Sequence, residues 1–422
     1  MTSSFDVDAV RAEFPALSPG GSGAGAVFFD NPAGTQIAAR ALSRMNSAMV
    51  EANANLGGYF KTSLRAEGLI GEARETLAAF LNAADPREIV FGQNMTTLTF
   101  ALSRAIGRWL QRGDEILLTR MDHDANVAPW LMLAEERGLE VRWLDFDPET
   151  CEFDLSSLDE ALTDRTRVAA INHASNVTGT INDVRTIARR AKAVGALVYV
   201  DAVQFAPHGV IDVQELGCDF LVCSAYKFYG PHHGILWGRL ELLEELEAYK
   251  VRPASPEPPG KFETGTKSRE AIAGVLGAVE HFGWLGERFG GAPSSGSRRQ
   301  RIVAGMQAAE AYERSLTERL VAGLRDFAGL RVHGIAETQS FGRRVPTVSF
   351  TVDGRDPAEI AEAMAAEDIY IWSGHNYGVE PIRRLGLEDK GGVVRVGLAH
   401  YNSAAEVERF LAAFGSWRRA TS

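Results

Sequence analysis

The sequence predicts an α/β protein built on a mostly parallel sheet. Three observations carry this. Short apolar runs alternate with helix-period segments from about residue 89 to residue 238, the order that produces parallel strands joined by right-handed crossovers. The runs at 196–200 and 220–223 are apolar throughout and rich in Val, Leu and aromatics, as strands buried on both faces are. Each of these runs ends in polar residues, Asp201 in one case and Ser224-Ala225-Tyr226-Lys227 in the other. Open α/β sheets hold their ligands at the C-terminal ends of strands.

The elements follow in order. Val7, Val10, Phe14 and Leu17 have helical spacing and predict a short helix over 5–17, followed by a Gly/Ser/Pro linker at 18–25. Residues 27–29 read as a strand that enters a loop at 30–35, and the polar, Gly-rich 53–63 reads as a second loop. Leu69, Ile70, Ala73, Leu77, Phe80 and Leu81 mark one helix face. A strand at 89–91 leads through Asn94-Met95-Thr96 into a helix with Leu98, Leu102, Ile106 and Trp109 on one side. Free N–H groups and hydroxyls at such a helix start suit a phosphate. Strands are expected at 115–119, 141–144 and 167–172, with a helix opening near Ser156 or Ser157 as a capping box. A helix at 183–194 returns the chain to the strand of Asp201, and 234–237 is a further strand. Residues 252–260 are a Pro-rich loop, and a long helix starts near Arg269. Gly-rich 290–297 reads as a flexible break, a lid or hinge, before a helix over 300–327. The remainder alternates strands (331–333, 346–352, 369–372, 393–398) with helices (356–366, 403–417), a smaller α+β domain.

Bulk properties exclude several classes. The chain has 422 residues, enough for two or three domains, and 45% hydrophobic content, ordinary for a protein with a large core. Lys plus Arg is 44 against 55 Asp plus Glu, net −11, with no basic run. That argues against nucleic acid as a partner. The N-terminus has neither the cationic start nor the apolar segment of a signal peptide, and no stretch approaches the ~18 apolar residues of a membrane span. Cys151, Cys218 and Cys223 have no metal-ligand spacing. A cytoplasmic setting without membrane partners is expected.

A carboxylate and a lysine ending neighbouring strands form a pair that pyridoxal 5'-phosphate chemistry needs. The amine forms a Schiff base with the cofactor aldehyde, and the carboxylate keeps the pyridine nitrogen protonated. Taken singly, Lys227 reads as a solvated strand-end lysine and Asp201 as a helix cap. Together, in VDAVQFAPH and SAYKFYGP, they resemble the class V aminotransferases. This is the fold-type I group that includes cysteine desulfurases, isopenicillin N epimerase and cystine C–S lyases. The resemblance runs from Asp30-Asn31 to Arg395. It implies a large cofactor domain with a mostly parallel seven-stranded sheet at 27–285, a small C-terminal domain at 286–422, and an N-terminal segment, 1–26, packed on the latter.

The resemblance also implies roles. Asn94, Met95, Thr96 and Ser224 would hold the phosphate, joined by Thr266 acting on the partner subunit's cofactor, so a homodimer with interfacial sites is expected. His123, in Asp122-His123-Asp124-Ala125-Asn126, would stack on the pyridine. Asn176 would face the ring oxygen and the substrate carboxylate, and Gln204 the phenolic oxygen. Lys227 would be anchor and base. Arg395 would clamp the substrate carboxylate, since a guanidinium fork binds both oxygens. Asn31 and Ala33 would border the substrate, as would His375 and Tyr377.

Departures from the family shape the expected reaction. Tyr377, in Trp372-Ser373-Gly374-His375-Asn376-Tyr377, stands where desulfurases carry a nucleophilic Cys, and Trp372 replaces an arginine. Tyr226 replaces the His before the lysine and can donate a proton or pack. The family's HRG segment appears as Leu56-Gly57-Gly58-Tyr59, which leaves room for a substrate larger than cysteine. β-Elimination with C–S cleavage, and no persulfide, is the expected chemistry on an amino-acid substrate. Epimerisation and transamination are the alternatives on the same scaffold. A cofactor-holding sulfur-transfer or regulatory partner without catalysis is the alternative of another class. A nicotinamide enzyme is disfavoured, because no G-x-G-x-x-G follows an early strand.

Overall fold

The computed structural model describes residues 5–421. Residues 1–4 and 422, which the expected terminal domains include, lie outside the described residues. Seven strands form the large sheet: β1 (Ile89–Gly92), β2 (Glu115–Thr119), β3 (Glu140–Leu144), β4 (Thr166–Asn172), β5 (Leu197–Asp201), β6 (Phe220–Ser224) and β7 (Gly234–Gly238). Their order is β1-β7-β6-β5-β4-β2-β3, with only β7 antiparallel to its neighbours. Side chains alternate between two cores. Val198, Val200, Leu221 and Cys223 enter one, and Tyr199, Phe220 and Val222 enter the other. Both faces are covered, so these strands read as unbroken apolar runs.

The register decides where chemistry collects. Asn172 lies opposite Asp201, Asp201 opposite Val222, and Ser224 opposite Gly234. One sheet edge therefore presents Asn172, Asp201 and the Ser224–Lys227 turn side by side. The helices α1 (Lys61–Leu81) and α2 (Met95–Gly107) lie on opposite faces.

A second sheet is antiparallel throughout: β8 (Leu330–His333), β9 (Thr347–Val352), β10 (Trp372–Gly374) and β11 (Val393–Gly397), in the order β8-β9-β11-β10. Val348, Phe350, Val394 and Val396 pack under Leu320, Leu324, Phe410 and Phe414. Strand alternation sends Arg395, between two core valines, to the opposite face. The helices α3 (Arg269–Arg288) and α4 (Arg298–Arg325) pack against each other beside both sheets. The N-terminal segment lies over the seam. Arg11 donates to Tyr401 O and Glu406, Phe5 stacks on Tyr312, and Phe14 packs edge-on to Tyr229, His281 and Tyr401.

Five local expectations are corrected. The helix at 5–17 is two pieces, Val7–Arg11 and a 3-10 turn Pro15–Leu17, because the residue before a proline is driven out of the helical region and Phe14 is extended. The loop at 53–63 ends early, since α1 begins at Lys61. No capping box forms at Ser156 or Ser157; Asp154 instead accepts from Ser156 N and Oγ, and the helix is one turn, Leu158–Ala161. The capping box is at Ser297, where Gln300 completes it, so 290–297 is a fastened corner between α3 and α4. The strand at 369–372 is split. Ile369–Tyr370 pairs in parallel with Val27–Phe28, and Trp372 begins β10.

Gly179 joins the two sheets. Its φ is +77°, and a Cβ there would stand 2.3 Å from Thr347 O on β9. Gly179→Ala is expected to destabilise the fold by about 1–3 kcal/mol, from left-handed strain and backbone collision. Urea unfolding checks this: the midpoint falls, and an unchanged midpoint would contradict a tight seam here.

Candidate active site

Lys227 ends a 3-10 turn, Ala225–Lys227, at the edge of β6. Its Nζ donates to Pro32 O and lies 4.9 Å over the Tyr226 ring. Burial is the largest influence on this amine and brings its pKa down to about 7. The Arg395 charge pushes the same way; Asp201 and Asp30 oppose it. The neutral amine is therefore well populated near neutral pH, as a nucleophile or base requires.

Asp201 is buried at the end of the central strand, and burial raises its pKa to about 6. Val203 N donates to its Oδ1 at 2.8 Å. It is ionised above that pKa and has no cationic side chain bonded to it, so a protonated ring nitrogen would suit it. At the other end of the slot, Asn94 caps α2 by accepting from Thr97 N at 2.9 Å, and Met95 N donates to Ser224 Oγ at 3.2 Å. Thr96 N has no partner among the described residues and lines the same slot. Gly234 makes this possible: a Cβ there would stand 2.4 Å from the Asn94 backbone. A helix start with open N–H groups and two hydroxyls fits a phosphate.

His123 lies across the slot. Its Nδ1 accepts from Ala125 N at 3.0 Å, which leaves the proton on Nε2, and burial holds its pKa down at about 3. A neutral ring is what stacking on a pyridinium wants. Asn176 donates to Asn376 O at 2.8 Å while its Oδ1 has no partner. Gln204 donates to Thr347 Oγ1 at 2.9 Å while its Oε1 has none. The open N–H groups and hydroxyls at the α2 start fit a phosphate, and the two orphaned amide oxygens lining the same slot can each accept from a hydroxyl or N–H of a bound ligand.

The slot opens into a chamber of about 490 Å³ that also touches Ala33, Trp372, His375, Tyr377 and Arg395. Arg395 donates Nη1 to Asn176 O at 3.0 Å, and its Nε is buried without a partner. Burial lowers its pKa to about 10, still cationic at neutral pH. The segment after β10 is pinned and strained. Asn376 and Tyr377 have φ of 51° and 58°; Tyr377 N donates to His375 Nδ1 at 2.9 Å, and Asp124 N donates to Tyr377 O at 2.8 Å. The Tyr377 ring stacks on His123 at 5.5 Å and 16°. Tyr226 stacks on His232 at 4.9 Å, and burial raises its hydroxyl pKa.

Two expected site residues stand apart. Asn31 spends its amide inside the fold, donating to Phe28 O, Gly397 O and Asn402 and accepting from Tyr401. Its side chain ties the loop in place within the fold. Thr266 is exposed on a different surface recess, beside Gln93 and Lys267.

Sequence reasoning passed over Asn172 and Asp30 as site residues, and noted Trp372 only as the replacement of an arginine. Asn172 lines the slot one strand from Asp201, and the strand-end rule that marks Asp201 marks it equally. Asp30 is held up at about 6 by burial, has an unpartnered Oδ1, and feels both Lys227 and Arg395. The three cysteines are buried, and none lines the slot or the chamber.

The model of the family described as aminotransferase class-V matches residues 27–410. An aminotransferase-like protein of Gibberella zeae, FGM3, is 34% identical, with 98% of each chain covered. A cysteine desulfurase of Pectobacterium carotovorum is 31% identical, with 97% of each covered. Among solved structures, the apo cysteine desulfurase of Thermococcus onnurineus superposes with a TM-score of 0.86 at 26% identity over 100% of both chains. The lysine, the buried carboxylate and the seven-stranded sheet thus stand in a chain that belongs to the class V aminotransferases, a family of pyridoxal phosphate-dependent enzymes.

Proposed function

We propose that this protein is a pyridoxal phosphate-dependent lyase that cleaves the Cβ–S bond of a cysteine derivative by β-elimination, without a persulfide intermediate. The observation that carries the reading is the chamber itself: a base, a buried guanidinium whose Nε has no partner, and no thiol. Tyr377 takes the place where a sulfur nucleophile would stand. A cytoplasmic homodimer completes the reading. It is supported by three unpaired buried thiols, the exposed Thr266 loop, and exposed Met49, Val50, Leu56, Tyr59, Phe60 and Leu64 along one stretch. The division at 27–285 and 286–422 is supported by the two sheets; the N-terminal segment reaches the small domain through the Arg11 contacts to Tyr401 and Glu406 and the large one through Phe14 on Tyr229 and His281.

Bound pyridoxal phosphate supplies an electron sink for the pair left at Cα. The protein does the rest. Arg395 takes the substrate carboxylate, which gives its unpartnered Nε an acceptor. Lys227, neutral above its pKa of about 7, takes the α-proton. The Lys227 ammonium or the Tyr226 hydroxyl would give a proton to the sulfur leaving Cβ. Asp201, ionised above about 6, would hold a protonated ring nitrogen. Overall, conjugate plus water gives thiol, pyruvate and ammonium.

Lys227 sets a pH dependence. Its folded pKa lies below the ordinary lysine value, so the reactive neutral amine is lost as pH falls through about 7. The rate at which apoprotein captures the cofactor, followed by absorbance, is expected to rise through neutrality and level above it. A rise only near pH 10 would show a solvated lysine. Asp201→Asn is expected to lower kcat by on the order of 10²-fold or more. Arg395→Lys is expected chiefly to raise KM, because a point charge replaces a fork. Steady-state assays of pyruvate and thiol release check both. Alanine plus sulfide from free cysteine would overturn the elimination reading.

A further inference from the structure

Trp372 is the direct cross-strand partner of Arg395 in the β10–β11 pair. Directly opposed residues project to the same face, about 4.5–5.5 Å apart at their Cβ atoms. The indole therefore stands beside the guanidinium that takes the substrate carboxylate. On the same chamber wall lies Tyr377, stacked on His123 and held by a loop with two successive left-handed residues. Trp372 is 49% exposed and Tyr377 67% exposed, so both rings offer open apolar surface.

The chamber holds about 490 Å³, part of it beside Thr96, His123 and Lys227 where the cofactor would lie; its outer wall is Pro32, Ala33 and these rings, with no carboxylate among its lining residues. A pocket of roughly 300–1,000 Å³ suits a ligand of drug-like size, here a cofactor together with a substrate side chain. Its charged groups, Lys227 and Arg395, are already assigned to the substrate's amine and carboxylate. A second amino-acid head, as in a disulfide-linked or thioether-linked diamino acid, would leave its ammonium without a counter-charge.

We infer that the substrate is a cysteine S-conjugate whose sulfur carries an aromatic or bulky apolar group, and that Trp372 and Tyr377 form the site for that group. The inference rests on the elimination reading for its chemistry, but not for its binding. The Cα–H and Cβ–S bonds break, the thiol leaves with one proton, and water completes the conversion to pyruvate and ammonium. No oxidant or reductant is required.

The test uses the holoenzyme with S-methyl-, S-benzyl- and S-(naphthylmethyl)-L-cysteine, with L-cystine for comparison. Pyruvate and thiol release is expected to favour the benzyl over the methyl conjugate by about 10- to 100-fold in kcat/KM, the worth of burying an aromatic ring. Trp372→Ala and Tyr377→Ala should each pull that ratio towards one, whereas Trp372→Phe and Tyr377→Phe should keep most of it. Calorimetric binding of L-homophenylalanine and L-alanine supplies a readout free of turnover. Tenfold tighter binding of homophenylalanine, lost in the alanine variants, would uphold the side-chain site even if no conjugate yields pyruvate, and only the elimination reading would then fall. Equal kcat/KM for methyl and benzyl conjugates, a preference for cystine, or equal binding of the two amino acids would overturn the inference.

Discussion

The structure depends on keeping one amine dry. Lys227 has a pKa near 7 only because β6, the Pro32 loop and Arg395 together exclude water and add a like charge. A buried ion costs several kcal/mol unless paired, and this site holds two cations with no bonded counter-ion. Asp201 and Asp30 answer them, each pushed up to about 6 by the same burial. The four groups hold one another near neutrality without forming salt bridges among themselves. Groups so placed are relieved by a ligand that brings a carboxylate, a ring nitrogen and a phosphate, which is why so much polar capacity lies unspent around the slot.

That arrangement is a property of the seam and not of either sheet alone. Asn176 comes from the large sheet, yet it donates to Asn376 and its carbonyl accepts from Arg395, both on the other side. Gln204 reaches Thr347, and Ser349 donates to Val177 O at 2.5 Å. Each side positions the other's functional atoms. Gly179, at 2.3 Å from Thr347 O for a hypothetical Cβ, shows how little space the seam leaves.

Much of this was legible in the chain before any coordinates. Asp201 and Lys227 could be read because a strand buried on both faces leaves its polar residues no place but its end. Arg395 needed the resemblance as well, since a single polar residue inside Val393-Val394-Arg395-Val396 looks like ordinary alternation. The structural ties of Asn31 were not legible, because its partners Gly397, Tyr401 and Asn402 return from over 360 residues away. No local pattern announces such a meeting. Pro15 did announce the broken helix, and the apolar spacing around it masked the signal. The strand at 369–372 split because its two halves serve different partners, a tertiary choice that periodicity does not record.

The loop ending in Tyr377 carries the remaining argument. Two successive left-handed residues cost about 1–3 kcal/mol each, and such conformations persist only where surrounding contacts over-determine them. Here Asn176, Asp124 and His375 supply the contacts, and His123 stacks on the ring that results. A nucleophile that must swing to its target gains nothing from being fastened this way. A wall against which a substrate side chain packs gains a great deal, because its surface is already in place when the ligand arrives and little entropy is left to lose. The same reasoning joins Trp372 to Arg395: β pairing fixes the two backbone positions opposite one another, and both side chains line the chamber. Selectivity on this scaffold then follows from which residues the small sheet presents to a chemistry that the large sheet keeps constant.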